Sequence, residues 1–254
     1  NWRWGRGQSP ESGHFNNRGQ ITLYYLTGNR KMLESVIEQA ELVYYKISED
    51  VFSQIDRVTR DSGNNLQVLT DAYLLTWDEK YVAMAEKILE STAPEKQWFT
   101  SEEGRAANPD KNAGAFWQPS LCINPVGRWT DVMEEKNGKP YLKGRKYLEK
   151  YADFAARFMA AGPKNGFWSS WKPNGEKSGN LGPWTYRAVD ALMYGHKYSA
   201  DPAVRSRCLK AARDAMTFMR NEYASRNYSD SKWHTIVAGG GHEYTYYKKY
   251  GSWK

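Results

Sequence analysis

The sequence predicts an all-α chain built from helical hairpins, and three observations predict it. Apolar residues recur at helical spacing in segment after segment. These segments come in pairs, each broken by a short turn such as Gly28-Asn29 or Asp201-Pro202, with two helices per repeat of about 50–70 residues. Neither strand–helix alternation nor a regular series of strands runs through the chain. Repeated hairpins must stack to bury their apolar faces. A solenoid and a closed α/α toroid share this local pattern. The long, aromatic, non-repeating loops favour the toroid, in which loops at one end build a cleft. The expectation is one α/α-toroid domain over residues 1–254, with binding groups at the entrances of the inner helices.

Each element follows from its residues. Residues 1–16 are polar, aromatic and glycine-rich and read as loop. Residues 17–27 and 30–47 form the first hairpin: Tyr24-Tyr25-Leu26-Thr27 carries an apolar face, Gly28-Asn29 stops it, and Met32, Leu33, Val36, Ile37 and Ala40 restart it. Residues 48–64 read as a polar connection ending in Asp61-Ser62-Gly63-Asn64, with Asn64 or Asn65 as the N-cap of the next helix. The second hairpin runs through Leu66, Leu69, Ala72, Tyr73 and Trp77, turns at Asp78, continues through Tyr81, Met84, Ala85, Ile88 and Leu89, and ends at Pro94.

Residues 95–113 read as a long polar loop. Phe116 to Ile123 opens a third hairpin whose first helix Pro119 and Pro125 should keep short. A charged excursion over 134–140 contains the turn signal Asn137-Gly138. Tyr147, Leu148, Tyr151, Phe154, Ala155, Phe158 and Met159 then mark an amphipathic helix. Residues 162–182 hold seven Gly or Pro and read as loop. Pro183 suits the first turn of a helix carrying Ala188, Ala191, Leu192 and Met193. Asp201 caps the next, with Pro202 in its first turn and Val204, Cys208, Leu209, Ala212, Met216 and Met219 along it. The segment from Tyr223 is irregular.

A net charge of +7 favours an anionic partner. Nucleic acid is not expected: there is no run of five Lys or Arg, no finger spacing and no RNA-binding signature, and the positives are interspersed with acids. An acidic polysaccharide or oligosaccharide fits better. The 11 Trp and 18 Tyr supply flat rings that stack on sugar faces, although many of them must also build the core. No apolar run is long enough to span a bilayer, so no membrane partner is expected. The chain starts at Asn1 without a signal pattern, as a mature form or a domain of a longer protein would. A polysaccharide-active protein would work in the periplasm or outside the cell. Cys122 and Cys208 are isolated, and Cys208, among Leu209, Ala211 and Ala212, reads as a buried free thiol.

Gly13-His14, Arg18-Gly19 and Tyr24-Tyr25-Leu26-Thr27-Gly28-Asn29 together resemble a segment of bacterial α/α-toroid carbohydrate-active proteins, the six-hairpin glycosidase and polysaccharide-lyase superfamily. In those proteins a His near an inner-helix start precedes a Tyr-Tyr-Leu-Thr-Gly-Asp-like turn; Asn29 stands here where Asp is usual. Gly182-Pro183-Trp184-Thr185-Tyr186-Arg187 is similar to a later inner-helix start. The resemblance spans the hairpin regions. It implies a toroid fold and activity as a lyase, an unsaturated-uronide hydrolase or another glycosidase. A full six-hairpin toroid is normally longer than this chain, so the toroid is expected to be incomplete or the rest to lie elsewhere.

In such a toroid the loops entering the inner helices deliver His14 and Arg18, then Asn64 and Asn65, then Trp117 and Gln118, then Trp184, Tyr186 and Arg187, with His234, His242 and Tyr244 from the tail. Arg18, Asn65, Gln118 and Arg187 suit binding of a uronate, and Trp117 and Trp184 suit stacking on its ring. β-Elimination needs a neutralised carboxylate, a base and an acid, which His14, Tyr186, His242 and Tyr244 can supply. This reaction is placed slightly ahead of hydrolysis. Hydrolysis instead needs two carboxylates facing one bond, from Glu11, Asp61, Asp71, Asp131, Asp190 and Glu243. Asp71 and Asp190 lie mid-helix in apolar surroundings, facing either an interior or a solvated stripe. His196, after Gly195 at a helix end, reads as structural.

No metal or other cofactor is expected. The four His have no ligand spacing, and Asp110-Lys111-Asn112-Ala113-Gly114 only begins like a calcium loop. A non-catalytic sugar-binding module would keep the Trp and Arg residues without needing His14. A helical scaffold for proteins would need a large apolar concave face.

Overall fold

The computed structural model describes residues 17–50, 58–113 and 117–225. Two compact units make up the chain, Asn1–Thr92 and Ala93–Lys254. The four expected hairpins are present, two in each unit.

In the first unit, α1 (Arg18–Thr27) pairs with α2 (Arg30–Ser48), and α3 (Arg60–Thr76) pairs with α4 (Glu79–Ser91). The two turns are built alike. Thr27 Oγ1 donates to the Leu23 carbonyl, accepts from the Asn29 N–H, and Asn29 Oδ1 accepts from the Lys31 N–H. Thr76, Asp78 and Lys80 repeat the same three bonds, with Ala72 as the carbonyl. Gly28 and Trp77 occupy the left-handed position between them, at φ +67° and +58°. The Asx side chain caps the new helix while the left-handed residue ends the old one. This is the physical content of the Gly28-Asn29 and Asp78 signals.

The outer faces differ sharply. On α2 the stripe Val36, Ala40, Val43 and Ile47 is buried, and on α4 Tyr81, Met84, Ala85, Ile88 and Leu89. Glu41 joins α2 to α4, accepting from Lys80 Nζ (2.8 Å) and the Tyr81 hydroxyl (2.5 Å). Burial works against its charged form, but those two bonds and the Lys80 charge hold it below the usual carboxylate range. Helix α3 is buried almost all round, from Ser62 to Tyr73 with Asn64 the half-buried exception. It begins earlier than the sequence suggests: Thr59 is its N-cap residue, and Asn64 and Asn65 lie inside it. Asp61-Ser62-Gly63-Asn64 looks like loop because polar residues favour turns. Here they pack on a fully enclosed helix, where tertiary burial decides.

In the second unit, Pro94–Lys96 forms one 3₁₀ turn and α5 (Glu102–Ala106) a short helix capped by Ser101, so the loop expected over 95–113 is partly helical. Helix α6 (Trp117–Asn137) is 21 residues long, not short. Pro119 sits in its first turn, where no N–H bond is required. Pro125 removes one internal bond. The surrounding burial of Cys122, Ile123, Val126, Trp129 and Met133 outweighs that loss. The charged excursion is therefore helical as far as Asn137, and Gly138 (φ +60°) makes the turn.

Helix α7 (Leu142–Phe154) runs into a single π-helical turn over Ala155–Met159. A small antiparallel sheet follows: β1 (Ala160–Gly162), β2 (Gly166–Trp171) and β3 (Lys177–Asn180), in that order. Ala160 pairs with Phe167, and Trp168 with Asn180. The sequence reading of 162–182 as loop misses it. Strands of three to six residues between glycines leave no alternation long enough to read. Phe167 and Trp171 are nonetheless core residues, with Trp171 against Phe154 and Phe158.

Helices α8 (Thr185–Tyr198) and α9 (Pro202–Ser225) close the described chain. Their turn echoes the first unit: the Asp201 N–H donates to Ser199 Oγ, and the Ala203 N–H to Asp201 Oδ1. Glycines let α8 approach its neighbours. A Cβ on Gly127 of α6 would lie 2.3 Å from the Tyr194 ring, and one on Gly195 would lie 2.2 Å from Ala152 Cβ of α7 and 3.0 Å from Cys208 Sγ of α9. Cys208 is a buried free thiol, its pKa pushed up to about 12 chiefly by burial. His196 Nδ1 lies 3.1 Å from the Arg205 carbonyl and braces the α8–α9 end.

Across the α6–α7 turn, Arg145 donates to Glu134 through Nε (2.6 Å) and Nη2 (2.8 Å), and the Tyr141 N–H donates to the same carboxylate at 3.0 Å. The Arg145 hydrogen bond is the main reason Glu134 is held below the usual carboxylate range. A depressed carboxylate contributes stability above its unfolded pKa and loses it as pH falls through the folded value. Arg145→Ala should therefore cost about 1 kcal/mol at neutral pH, a value discounted for solvent exposure. Urea titrations of parent and variant should converge below about pH 4.

Candidate functional site

Most buried polar side chains lie on the first helix of each hairpin, with Lys46 of α2 an exception. Among the described residues, Asn17, Asn65, Asn124, Thr185 and Asp190 are buried and keep at least one polar atom without a hydrogen-bond partner. They sit at the N-cap of α1 and on α3, α6 and α8. None lies on the second helices α2, α4, α7 or α9. An unsatisfied buried polar atom costs free energy, so such a grouping calls for a ligand, a water or a proton.

The second unit holds the group with the most chemistry. A left-handed Gly182 (φ +51°), whose N–H donates to Asn180 Oδ1, starts a 3₁₀ turn over Gly182–Trp184 that delivers the chain into α8. Thr185, Tyr186 and Asp190 are buried, and Arg187 and Trp184 are half-buried. Tyr186 and Arg187 precede Asp190 by four and three residues, so the three side chains share one helical face. Asn124 of α6 reaches across: its Nδ2 donates to Asp190 Oδ2 at 3.1 Å and to the Arg187 carbonyl at 3.2 Å. Asp190 is 2% exposed, and its Oδ1 has no hydrogen-bond partner. A buried carboxyl group fixed through one oxygen by a neutral amide, with the other enclosed and without a partner, calls for a ligand, a water or a proton there. Thr185 points elsewhere, toward Gly166 of β2, where an added Cβ would meet its Oγ1 at 2.8 Å.

In the first unit, Arg18 is half-buried at the first position of α1, beside the enclosed Asn17. Asn65 and Asp71 are fully buried on α3. Both Asp71 and Asp190 therefore face a protein interior, and the solvated-stripe alternative is set aside.

Of the residues singled out from the sequence, Trp184, Tyr186 and Arg187 come together at the start of α8. Arg18 and Asn65 belong to the first unit. Trp117 and Gln118 occupy the first turn of α6. His14, His234, His242 and Tyr244 lie outside the described residues. Asn124 is a site residue the sequence reading misses. Its signal is a polar side chain inside the apolar run Leu121-Cys122-Ile123, just before Pro125. Among the described residues no three of His, Cys, Asp or Glu gather as a metal site, and no helix is long and apolar enough to cross a membrane.

No family model matches the chain, and no curated protein matches it. Two solved structures are similar to it. One is the unsaturated glucuronyl hydrolase of Bacillus sp. GL1, responsible for the degradation of glycosaminoglycan. It has a TM-score of 0.55 and 12% identity over 94% of this chain and 72% of the other. The second is an Asp-to-Asn variant of UGL with dGlcA-Glc-Rha-Glc, at a TM-score of 0.52, the same identity and the same coverage. At that identity the likeness is one of fold. The all-α hairpin toroid expected from the sequence is the fold of this chain.

Proposed function

We propose that this chain is a carbohydrate-active enzyme of the glycoside-hydrolase type, acting on an oligosaccharide that carries a glucuronyl or related uronate group. Asp190 is its acid/base residue, and the observation that carries the reading is the Asn124–Asp190 pair with its buried, unpartnered carboxylate oxygen. Cleavage of a glycosidic bond needs a positioned carboxyl group to protonate the leaving oxygen or to activate water. Arg187, on the same helical face, is the residue proposed to receive the uronate carboxylate through its planar fork. Tyr186 and Trp184 complete the wall, the second as a stacking ring. The fold likeness to unsaturated glucuronyl hydrolase supports the substrate class. β-Elimination, placed slightly ahead from the sequence, relies on His14 with Tyr186 or Tyr244 and on His242. The enclosed Asp190 and the fold likeness favour hydrolysis, with Asp190 as one of the two carboxylates that reaction uses.

The test is incubation with hyaluronan and chondroitin polymers and with the unsaturated oligosaccharides a lyase makes from them. Ultraviolet absorbance of the conjugated alkene and reducing ends are followed together. Hydrolysis of an unsaturated uronide makes the absorbance fall. A rise on polymer would establish elimination and overturn the hydrolase reading. No change in either signal on any of these substrates would overturn the enzymatic one.

A further inference from the structure

Trp77 is a residue whose bulk its own turn does not explain. The α1–α2 and α3–α4 turns make the same hydrogen bonds, and the first places Gly28 in the left-handed slot where the second places an indole. Glycine enters that region without steric cost, whereas a bulky side chain is strained there. The strain gains no burial, because Trp77 is 62% exposed. Tyr73, itself fully buried, meets it edge-on at 5.4 Å and 69°, which fixes the ring while leaving it in solvent. Its exposed neighbours Thr76, Asp78 and Glu79 are all polar.

A rigid, solvent-facing aromatic plane set among hydrogen-bonding groups is suited to one flat, amphipathic ligand, the face of a pyranose ring. A protein partner would need a contiguous apolar patch around it. We infer that Trp77 is a saccharide-binding platform on the first unit. Along α3 it stands about 18 Å from Asn65, at the opposite end of the helix. It would hold a chain of the substrate polysaccharide, or a neutral one, against the first unit. The ligand class rests on the carbohydrate reading above; the location rests on the turn alone.

The test is native electrophoresis in gels cast with hyaluronan, chondroitin sulfate or hydroxyethylcellulose, using the full chain. The parent should be retarded in at least one gel. Trp77→Gly should bind roughly three- to tenfold more weakly, with an unchanged or higher Tm because the left-handed strain is relieved. Trp77→Phe should retain most of the retardation. Asp190→Asn should be retarded like the parent while failing to cleave, which separates this inference from the catalytic one. Retardation of Trp77→Gly equal to that of the parent, or a parent that passes every gel unretarded, overturns the platform. So does self-association in sedimentation that Trp77→Gly abolishes, which would make the ring a protein contact.

Discussion

Asp190→Asn is expected to fold like the parent and to lose saccharide cleavage by roughly 100- to 10,000-fold in kcat. The substitution keeps the shape of the side chain. Its carbonyl oxygen can still accept the Asn124 Nδ2 hydrogen bond that Asp190 Oδ2 accepts at 3.1 Å. What disappears is the capacity to take up and return a proton. The amide fills the same volume, so the thermal transition is the control that distinguishes lost chemistry from lost structure. Asn124→Ala gives the complementary result. It removes the donor that orients the carboxylate, so kcat should fall and the pH–rate profile should shift, because the group's protonation no longer meets the same partner. An Asp190→Asn enzyme with parental turnover would move the reaction away from this helix altogether.

Gly195→Ala is expected to be strongly destabilising. The new Cβ would sit 2.2 Å from Ala152 Cβ and 3.0 Å from Cys208 Sγ, so α7, α8 and α9 cannot all keep their places. Neither obstacle is the far end of a flexible side chain. Overpacking at such a junction costs about 3 kcal/mol, or on the order of 10 °C in Tm for a unit of this size. Gly127→Ala meets the flat Tyr194 ring at 2.3 Å, and a ring that swings aside should soften the loss. The order of damage, Gly195 before Gly127, is readable by calorimetry. Equal and small losses at both would mean that the helices stand further apart than described.

Helices whose apolar residues recur on one side were legible in the sequence: α2, α4 and α9 lie where the spacing puts them, and the Asx turns explain why their starts were clear; α7 gives way to a π turn at Ala155, and Pro183 lies in the 3₁₀ turn before α8. The start of α3 was obscure because Asp61, Ser62 and Asn64 carry loop chemistry locally and earn a helix only through enclosure by other elements. Helix α6 was underestimated because a proline's local penalty is visible in the sequence and the compensating burial of Trp129 and Ile123 is not. The sheet was hidden by its brevity. Tyr186, Arg187 and Trp184 drew attention in the sequence because they crowd one helix start, where the structure also places them together. Asp190 was one acid among several until its enclosure singled it out. Asn124 lies 66 residues before it, a pairing that only the packing of α6 on α8 creates.

The recurring Thr/Ser-x-Asn/Asp turn also bears on how the chain acquires its structure. In the first unit its bonds reach no further than four residues, so those two hairpins reverse direction using information within their own turns, whereas Ser199 and Ala200 also donate to Glu149 of α7. Such turns close on the microsecond scale, long before distant segments meet. The slow event in folding is then the docking of finished hairpins. The middle position, held by Gly28, Trp77 and Ala200 in turn, contributes no side chain to the reversal. At Gly28 and Trp77 it is left-handed, so a side chain placed there carries a backbone cost without altering the order in which the molecule assembles.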